Sequence, residues 1–251
     1  MQDGYAPGFG RDALEMMSAR SATDRARFVF PLLRNGMRVL DVGCGPGSIT
    51  AGLAVTGCRV LGVDAALSRE RLVRATPSST VDFIAASVYA LPLPDGCADL
   101  VFAHALFEHL SRPAAALAEL RRVLRPGGAL ALSTSDWSRA RLRPRTANVD
   151  AALRGHYLLR RRAGGDPFAG KHLPGHVADA GFREIRTHAR YRPDLTYREL
   201  ATYIERRLAA AVATPSPHRD QLAAAARSAR AWTESTDGDF SQCWVEILAT
   251  R

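Results

Sequence analysis

Asp41, Gly43, Gly45 and Gly47 alternate with single residues in the stretch "VLDVGCGPGSIT" (residues 39–50), and that spacing can do binding chemistry. An acidic side chain at the end of an apolar run offers an acceptor to a cationic group. Glycines set so close make a turn whose backbone a ligand can approach, because no Cβ intervenes. A second carboxylate, Asp64, ends the apolar run "VLGVD", where a neighbouring strand would bring it to sugar hydroxyls. Dinucleotide binders use G-x-G-x-x-G, whose last glycine packs the next helix onto the strand. Here Ser48 takes that position and the third glycine comes one place early. The pattern points away from a pyrophosphate, toward a ligand with an ammonium group and ribose hydroxyls.

Groups able to move a proton cluster further along. His104 ends "LVFAH", His109 and Glu108 follow in "ALFEHL", and Asp136 with Trp137 follows "GALALSTS". A histidine at a strand end can act as a general base or as an aligning wall. His104, His109 and Asp136 are the catalytic candidates; Glu108 reads as a solvated or capping residue. His172 and His176 stand at i and i+4, but Pro174 lies between them and no acidic partner adjoins them in sequence, so no metal site is expected. The four cysteines, Cys44, Cys58, Cys97 and Cys243, lack CxxC spacing and read as buried thiols.

These residues need strands and helices to position them. Residues 37 to about 135 alternate apolar runs with helical stretches, which predicts an α/β domain with a doubly wound, mostly parallel sheet. Strands are expected at "RVLDVG", "RVLGVD", "VDFIAAS", "ADLVFAH" and "GALALSTS". The helix in "SRPAAALAELRRVLRPGG" has Ser111 as a cap, Pro113 in its first turn and Pro126-Gly127-Gly128 as its stop. Residues 10–34 carry helical spacing and are expected to pack on the ligand edge as a lid. Beyond residue 136 come an Arg/Pro-rich stretch, a helix near 172–180 ended by Gly181, and a strand around "FREIRTHARY". A helical insertion at about 196–233, broken at Pro215 and Pro217, and a closing strand, "SQCWVEILAT", complete the chain. The division is thus a helical amino-terminal lid at 1–30 and a domain at 31–251, with cap elements at about 136–172 and 196–233.

With 251 residues and 47% hydrophobic content the chain can bury a proper core. No apolar run approaches the roughly 18 residues of a membrane span, and the first residues lack signal-peptide order. A soluble, cytoplasmic chain without a membrane partner is expected, as monomer or homodimer. The net charge of +9 invites a nucleic-acid partner. Yet the arginine-rich segments at 139–150 and 158–165 lack interleaved aromatics, and read as solvated faces or as contacts to an anionic small molecule.

Taken in order, "LDVGCGPG", "VD", "ALPLPDGCADLVFAHALFEHL" and "LRRVLRPGGALAL" resemble the motif series of the class I S-adenosylmethionine-dependent methyltransferases. The likeness is to the ubiquinone/menaquinone-biosynthesis-like branch, of actinobacterial type, and "SDW" (135–137), "RRRAGGDPFAGKHLPGHVADAGF" and "RAWTESTDGDF" extend it. It implies a Rossmann-like seven-stranded sheet with a helical cap, and a role in secondary metabolism. It further implies S-adenosyl-L-methionine as methyl donor, S-adenosyl-L-homocysteine as product and a small-molecule acceptor. Gly43, Cys44, Gly45 and Gly47 would line the cofactor's amino-acid end, with Asp41 near its ammonium and Asp64 and Ala65 at the ribose. Tyr5 and Arg20 would meet its carboxylate. Ser87 and Val88 would sit by the adenine, although the family usually has an acidic residue at Ser87. His104 would stand where cofactor and acceptor meet. The implied reaction is methyl transfer to O, N or C by in-line displacement, with alignment or a histidine base. The rival readings are a cofactor-binding protein of this fold with a non-methylating step such as cyclisation, and a nucleic-acid-associated protein.

Overall fold

A computed structural model describes residues 14, 17–66, 80–235 and 237–251. The apolar runs Arg38–Val42 (β1) and Arg59–Asp64 (β2) pair in parallel, Val39 beside Val60 and Leu40 beside Leu61. Val81–Ala85 (β3), Ala98–His104 (β4), Leu124–Arg143 (β5), Arg183–Arg192 (β6) and Asp239–Thr250 (β7) complete one sheet. Its order is β3-β2-β1-β4-β5-β7-β6, with β7 antiparallel to both β5 and β6. Chain order reverses between β1 and β4, and open α/β sheets bind ligands in the crevice at such a switch point.

Successive side chains of a strand face opposite sides, and β1 divides two cores accordingly. Leu40 and Val42 join Val101, Leu130 and Leu132 on one side. There the helix Pro113–Val123, which is α3, adds Ala116, Leu117, Leu120 and Val123, one helical face. Val39 points the other way, to Val60, Leu100 and Phe102, where Ser48–Ala54 (α2) contributes Ile49 and Leu53 and the segment after Ala22–Arg25 (α1) contributes Val29. Burial of each such aliphatic side chain stabilises the fold by about 1.5–3 kcal/mol.

A third core belongs to the cap. Ala147–Arg162 (α4), Tyr197–Val212 (α6) and Arg219–Thr233 (α7) pack Val149, Leu153, Leu200, Ile204, Leu208, Leu222 and Trp232 together. Thr146 caps α4 by accepting from Val149 N, and Thr196 and Glu199 form a reciprocal capping box on α6. Ala169–Asp179 (α5) lies on the sheet between α3 and β7, and Gly181, at φ +83°, ends it as expected.

Three expectations change. Residues 10–34 are helical only in pieces among the described residues: Leu14, Met17 and Ser18, then α1, then a 3-10 turn at Phe30–Leu32, with Pro31 inside that turn. The strand read as "GALALSTS" runs on to Arg143, because β7 continues to pair with it past a register shift between Asp136 and Arg141. Residues 136–143 are therefore sheet, with Trp137 and Leu142 buried in the cap core. Finally, Arg112, not Ser111, stands at the N-cap of α3, with Pro113 in the first turn.

Candidate active site

The site is built where β1, β2 and β4 end. After β1 the chain turns through Gly43, Gly45 and Gly47, at φ +77°, +53° and +84°, a region that L side chains rarely enter. Gly43 N and Cys44 N both donate to Val63 O, at 2.7 and 3.1 Å, which ties the turn to β2. A Cβ on Gly43 would lie 3.1 Å from Leu106 Cδ1. Asp64, last in β2, accepts from Gly45 N at 3.0 Å and from Ala66 N at 2.9 Å. One carboxylate thereby fixes two loops, and each oxygen keeps acceptor capacity for a ligand hydroxyl.

Asp41 lies behind the turn. Its carboxylate accepts from the Thr50 hydroxyl at 2.6 Å, joining β1 to α2. Burial, reinforced by the Asp64 charge and partly offset by the Thr50 bond, pushes its carboxyl up to about 7. Burial and the same two carboxylates hold the Cys44 thiol protonated, far above its ordinary range.

At the end of β4, His104 stacks on Trp244, ring centroids 4.7 Å apart. Neither of its ring nitrogens has a hydrogen-bond partner among the described residues. Burial lowers its pKa well below 6.5, and the charges of Arg20, Arg25 and Arg192 lower it further, so the imidazole is neutral. Trp244 is pinned in turn: Nε1 donates to Asp194 Oδ2 at 3.0 Å, and Arg25 grips Asp194 with two bonds of 3.0 and 2.8 Å. Ala105 follows with φ +55°, a left-handed non-glycine residue that turns the chain sharply off the strand.

These groups enclose a cavity of about 610 Å³. Arg20, Gly43, Cys44, Gly45, Asp64, Ala65, Ser87, Val88, His104 and His109, all singled out in the sequence, line it together. Asp41 and Gly47 do not: the first is turned to Thr50, and the second serves as N-cap of α2. Asp136 is buried elsewhere, in the middle of the lengthened β5, with its Cβ against Gly170 of α5. Tyr5 lies outside the described residues. Leu106 and Arg112 were not foreseen as lining; Arg112 stacks over Tyr89, 4.3 Å from the ring centre.

Two further readings need correction. Glu108 is buried, accepting from the Thr134 hydroxyl at 2.6 Å and the Ser135 hydroxyl at 3.1 Å. Arg160, within an arginine run read as solvated or as contacting an anionic small molecule, is 9% exposed, which removes the first alternative for this residue. His172 does have an acidic neighbour, Asp166, at 2.6 Å, while no group of three or more His, Cys, Asp or Glu able to hold a metal occurs among the described residues.

The strand order, the glycine turn and the acidic end of β2 define a Rossmann-like methyltransferase fold of class I. Residues 40–132 match the family model described as "Methyltransferase domain". An uncharacterised methyltransferase of Schizosaccharomyces pombe is 31% identical over 197 residues, covering 74% of this chain and 70% of that protein. The chain therefore belongs to the methyltransferase family, in its S-adenosylmethionine-dependent class. Among solved structures, the phosphoethanolamine N-methyltransferase 2 of Haemonchus contortus, in complex with S-adenosyl-L-methionine, superposes with a TM-score of 0.56 at 16% identity. That match covers 87% of this chain and 49% of the other, so the chain spans about half the length of that enzyme. The [4+2]-cyclase SpnF superposes with a TM-score of 0.54 at 21% identity, over 100% of this chain and 88% of that one. At these identities the likeness is one of fold. No described helix is long and apolar enough to cross a membrane.

Proposed function

We propose that the chain is a cytoplasmic enzyme that binds S-adenosyl-L-methionine along the ends of β1 and β2. It transfers the methyl group to O, N or C of a small molecule at the His104–His109 end of the cavity. The observation that carries this reading is a single cavity lined by the glycine turn, Asp64 and two neutral histidines. The residues fit the cofactor: Gly43 and Gly45 line the cavity with bare backbone, and about 610 Å³ suits an adenosyl amino acid. When bound, the sulfonium supplies an electrophilic methyl with a good leaving group, so the protein's task is chiefly alignment.

The chain's own groups divide the work. Backbone at Gly43, Cys44 and Gly45 closes on the amino-acid end, with Gly47 starting α2 behind it and Asp41 beneath the turn, near the ammonium. Arg20 reaches the carboxylate, where a guanidinium can bond bidentately, with Tyr5 assigned to the same group. Asp64 and Ala65 hold the ribose, Ser87 and Val88 the adenine. His104 and His109 wall the acceptor; Asp136, facing α5, takes no part in the chemistry. The lid assigned to residues 1–30 is supported, among the described residues, by Leu14, Met17 and Arg20, which line the cavity. Nucleic acid is no part of this reading, because the arginine-rich segments at 139–150 and 158–165 lack interleaved aromatics.

Calorimetry with S-adenosylhomocysteine tests the reading. Asp64→Ala is expected to weaken binding by about 1–3 kcal/mol through loss of a charge-assisted ribose contact. Unchanged affinity in that variant would remove the ribose assignment. Release of S-adenosylhomocysteine with an acceptor separates methylation from a cyclisation, which leaves the methyl donor unconsumed.

A further inference from the structure

We propose that the methyl acceptor carries an oxyanion, a carboxylate or a phosphate, received by Arg160, Arg207, His156 and Trp137 just beyond the His109 wall of the cavity. This rests on the methyltransferase reading above. Arg160 lies on the buried face of α4, in helical register with Val149, Leu153 and His156. Its Nε donates to His156 Nε2 at 3.2 Å, and its guanidinium lies 5.9 Å from the Trp137 ring centre. The rings of Trp137 and His156 are 4.9 Å apart. Arg207, from α6, comes in over Tyr203 at 5.7 Å, and Tyr203 is 6.1 Å from His156.

This cluster is rich in donors and has no carboxylate. His156 accepts at Nε2, which assigns its proton to Nδ1. Arg160 Nη1, Arg207 Nε, His156 Nδ1 and Trp137 Nε1 are then four buried N–H groups with no hydrogen-bond acceptor among the described residues. Neither arginine has an ion-pair partner among them either. A buried cation without a counter-charge is strongly unfavourable, and an oxyanion is the group that answers a cationic set of N–H donors. Asp136 is not bonded to them: its Oδ1 accepts from Ser138 N at 2.9 Å and from the Ser138 hydroxyl at 2.6 Å, and its Oδ2 has no hydrogen-bond partner among the described residues. Gln242 stays beside it, its Nε2 donating to the Asp136 carbonyl.

The end of α4 is tied to the cavity wall. Past the end of α4, Asp166 N donates to Glu108 O at 3.1 Å, and a Cβ on Gly165 would lie 3.2 Å from His109 Cα. His109 feels the same charges: burial, then Arg160, Arg20 and Arg207, hold it well below its ordinary pKa.

Calorimetry on the full chain decides the matter, with benzoate, phenyl phosphate and neutral benzamide as probes, each with and without S-adenosylhomocysteine. One or both anions are expected to bind at least about tenfold tighter than benzamide. Benzoate alone assigns a carboxylate, phenyl phosphate alone a phosphate. Arg160→Met should erase the preference with S-adenosylhomocysteine affinity retained; if that variant does not fold, Arg207→Met should at least halve the anion affinity. Equal binding of all three probes, no binding of either anion, or a preference that survives the substitutions overturns the proposal. Failure of S-adenosylhomocysteine to bind while the anion preference stands would instead remove the cofactor assignment and leave the oxyanion site.

Discussion

At the β1–β2 end the cavity is made of backbone: glycines in left-handed conformations, amides tied to Val63 O, and one carboxylate holding two loop amides. The cap core is instead held by long side chains, with Arg160, His156, Trp137 and Arg207 drawn from two helices and a strand. Backbone geometry is set locally and tolerates little change. A side-chain cluster depends on distant elements packing together, and can be rewritten without disturbing the sheet. A common cofactor belongs at the first kind of surface and a variable acceptor at the second. The titratable groups differ in the same sense. Asp41, under the turn, has its carboxyl pushed up to about 7 by burial, while His104, His109 and His156 are held neutral by burial and nearby arginines.

That contrast has opposite signs in pH, and it gives the largest expected effect. Folded Asp41 keeps a proton that the unfolded chain releases above about pH 4, so its contribution to stability falls as pH rises from about 4 to 7. The three histidines refuse protons that the unfolded chain takes up below about pH 6.5, so their contribution is present above that pH and lost as pH falls. On the acid side three groups oppose one, and the net slope approaches two protons, about 3 kcal/mol per pH unit. Urea unfolding at pH 7.5, 6 and 5 measures it. His156→Phe should flatten the slope and Asp41→Asn should steepen it; a profile level between pH 6 and 5 would contradict the whole assignment.

Two glycine substitutions break the comparison from either side. Gly43→Val must hold a β-branched residue at φ +77° with its Cβ 3.1 Å from Leu106 Cδ1. Strain and overpacking together should cost about 2–4 kcal/mol at the turn and lower S-adenosylhomocysteine affinity by roughly a hundredfold. In the cap, a Cβ on Gly155 would lie 2.4 Å from Ala225 Cβ and 2.9 Å from Leu208 Cδ2, wedging α4 off α7 and α6. Gly155→Val should therefore destabilise the fold by about 2 kcal/mol and leave cofactor affinity within roughly threefold. Calorimetry and thermal melts on both variants check the pair. Equal losses of affinity would mean that the two ends are one mechanical unit.

The same division explains what could be read in the sequence. Strand-ending acids and glycines at fixed spacing carry their geometry with them, so the turn, Asp64 and the strand-end His104 could be named from short stretches, and Ser87 through the family resemblance. Asp41 belongs to the same motif, yet its orientation toward Thr50 depends on how α2 settles, which no spacing shows. Glu108 is buried because Thr134 and Ser135 on another strand reach it. Arg160 was hidden within Arg160-Arg161-Arg162, a run that looks solvated. Its helical register with Val149, Leu153 and His156 was the available signal, overridden by the rule that cations stay exposed. The extension of β5 depends on pairing with β7, a hundred residues away in the chain, which no local pattern encodes.

The smallest effect is expected at His104, which stands where the two ends meet. A general base should have a pKa near the working pH, and burial together with Arg20, Arg25 and Arg192 drives this imidazole the other way. It is neutral and so able to accept a proton, but a weakly basic imidazole draws one only weakly. Its ring is held instead by Trp244, which Asp194 and Arg25 fix in place, an arrangement suited to a rigid wall that aligns acceptor and methyl. His104→Gln, polar and of similar reach, should therefore keep turnover within roughly tenfold, whereas removal of a working base costs about 10²–10⁴-fold. The wild-type rate should show no acidic limb from this group near pH 6.5, because its titration lies well below that value. The decisive comparison is kcat against pH from 5.5 to 8.5 for both proteins, alongside S-adenosylhomocysteine affinity. A loss beyond a hundredfold in the Gln variant, with cofactor binding intact and an acidic limb that disappears, would make His104 the base and move the chemistry from alignment to proton transfer.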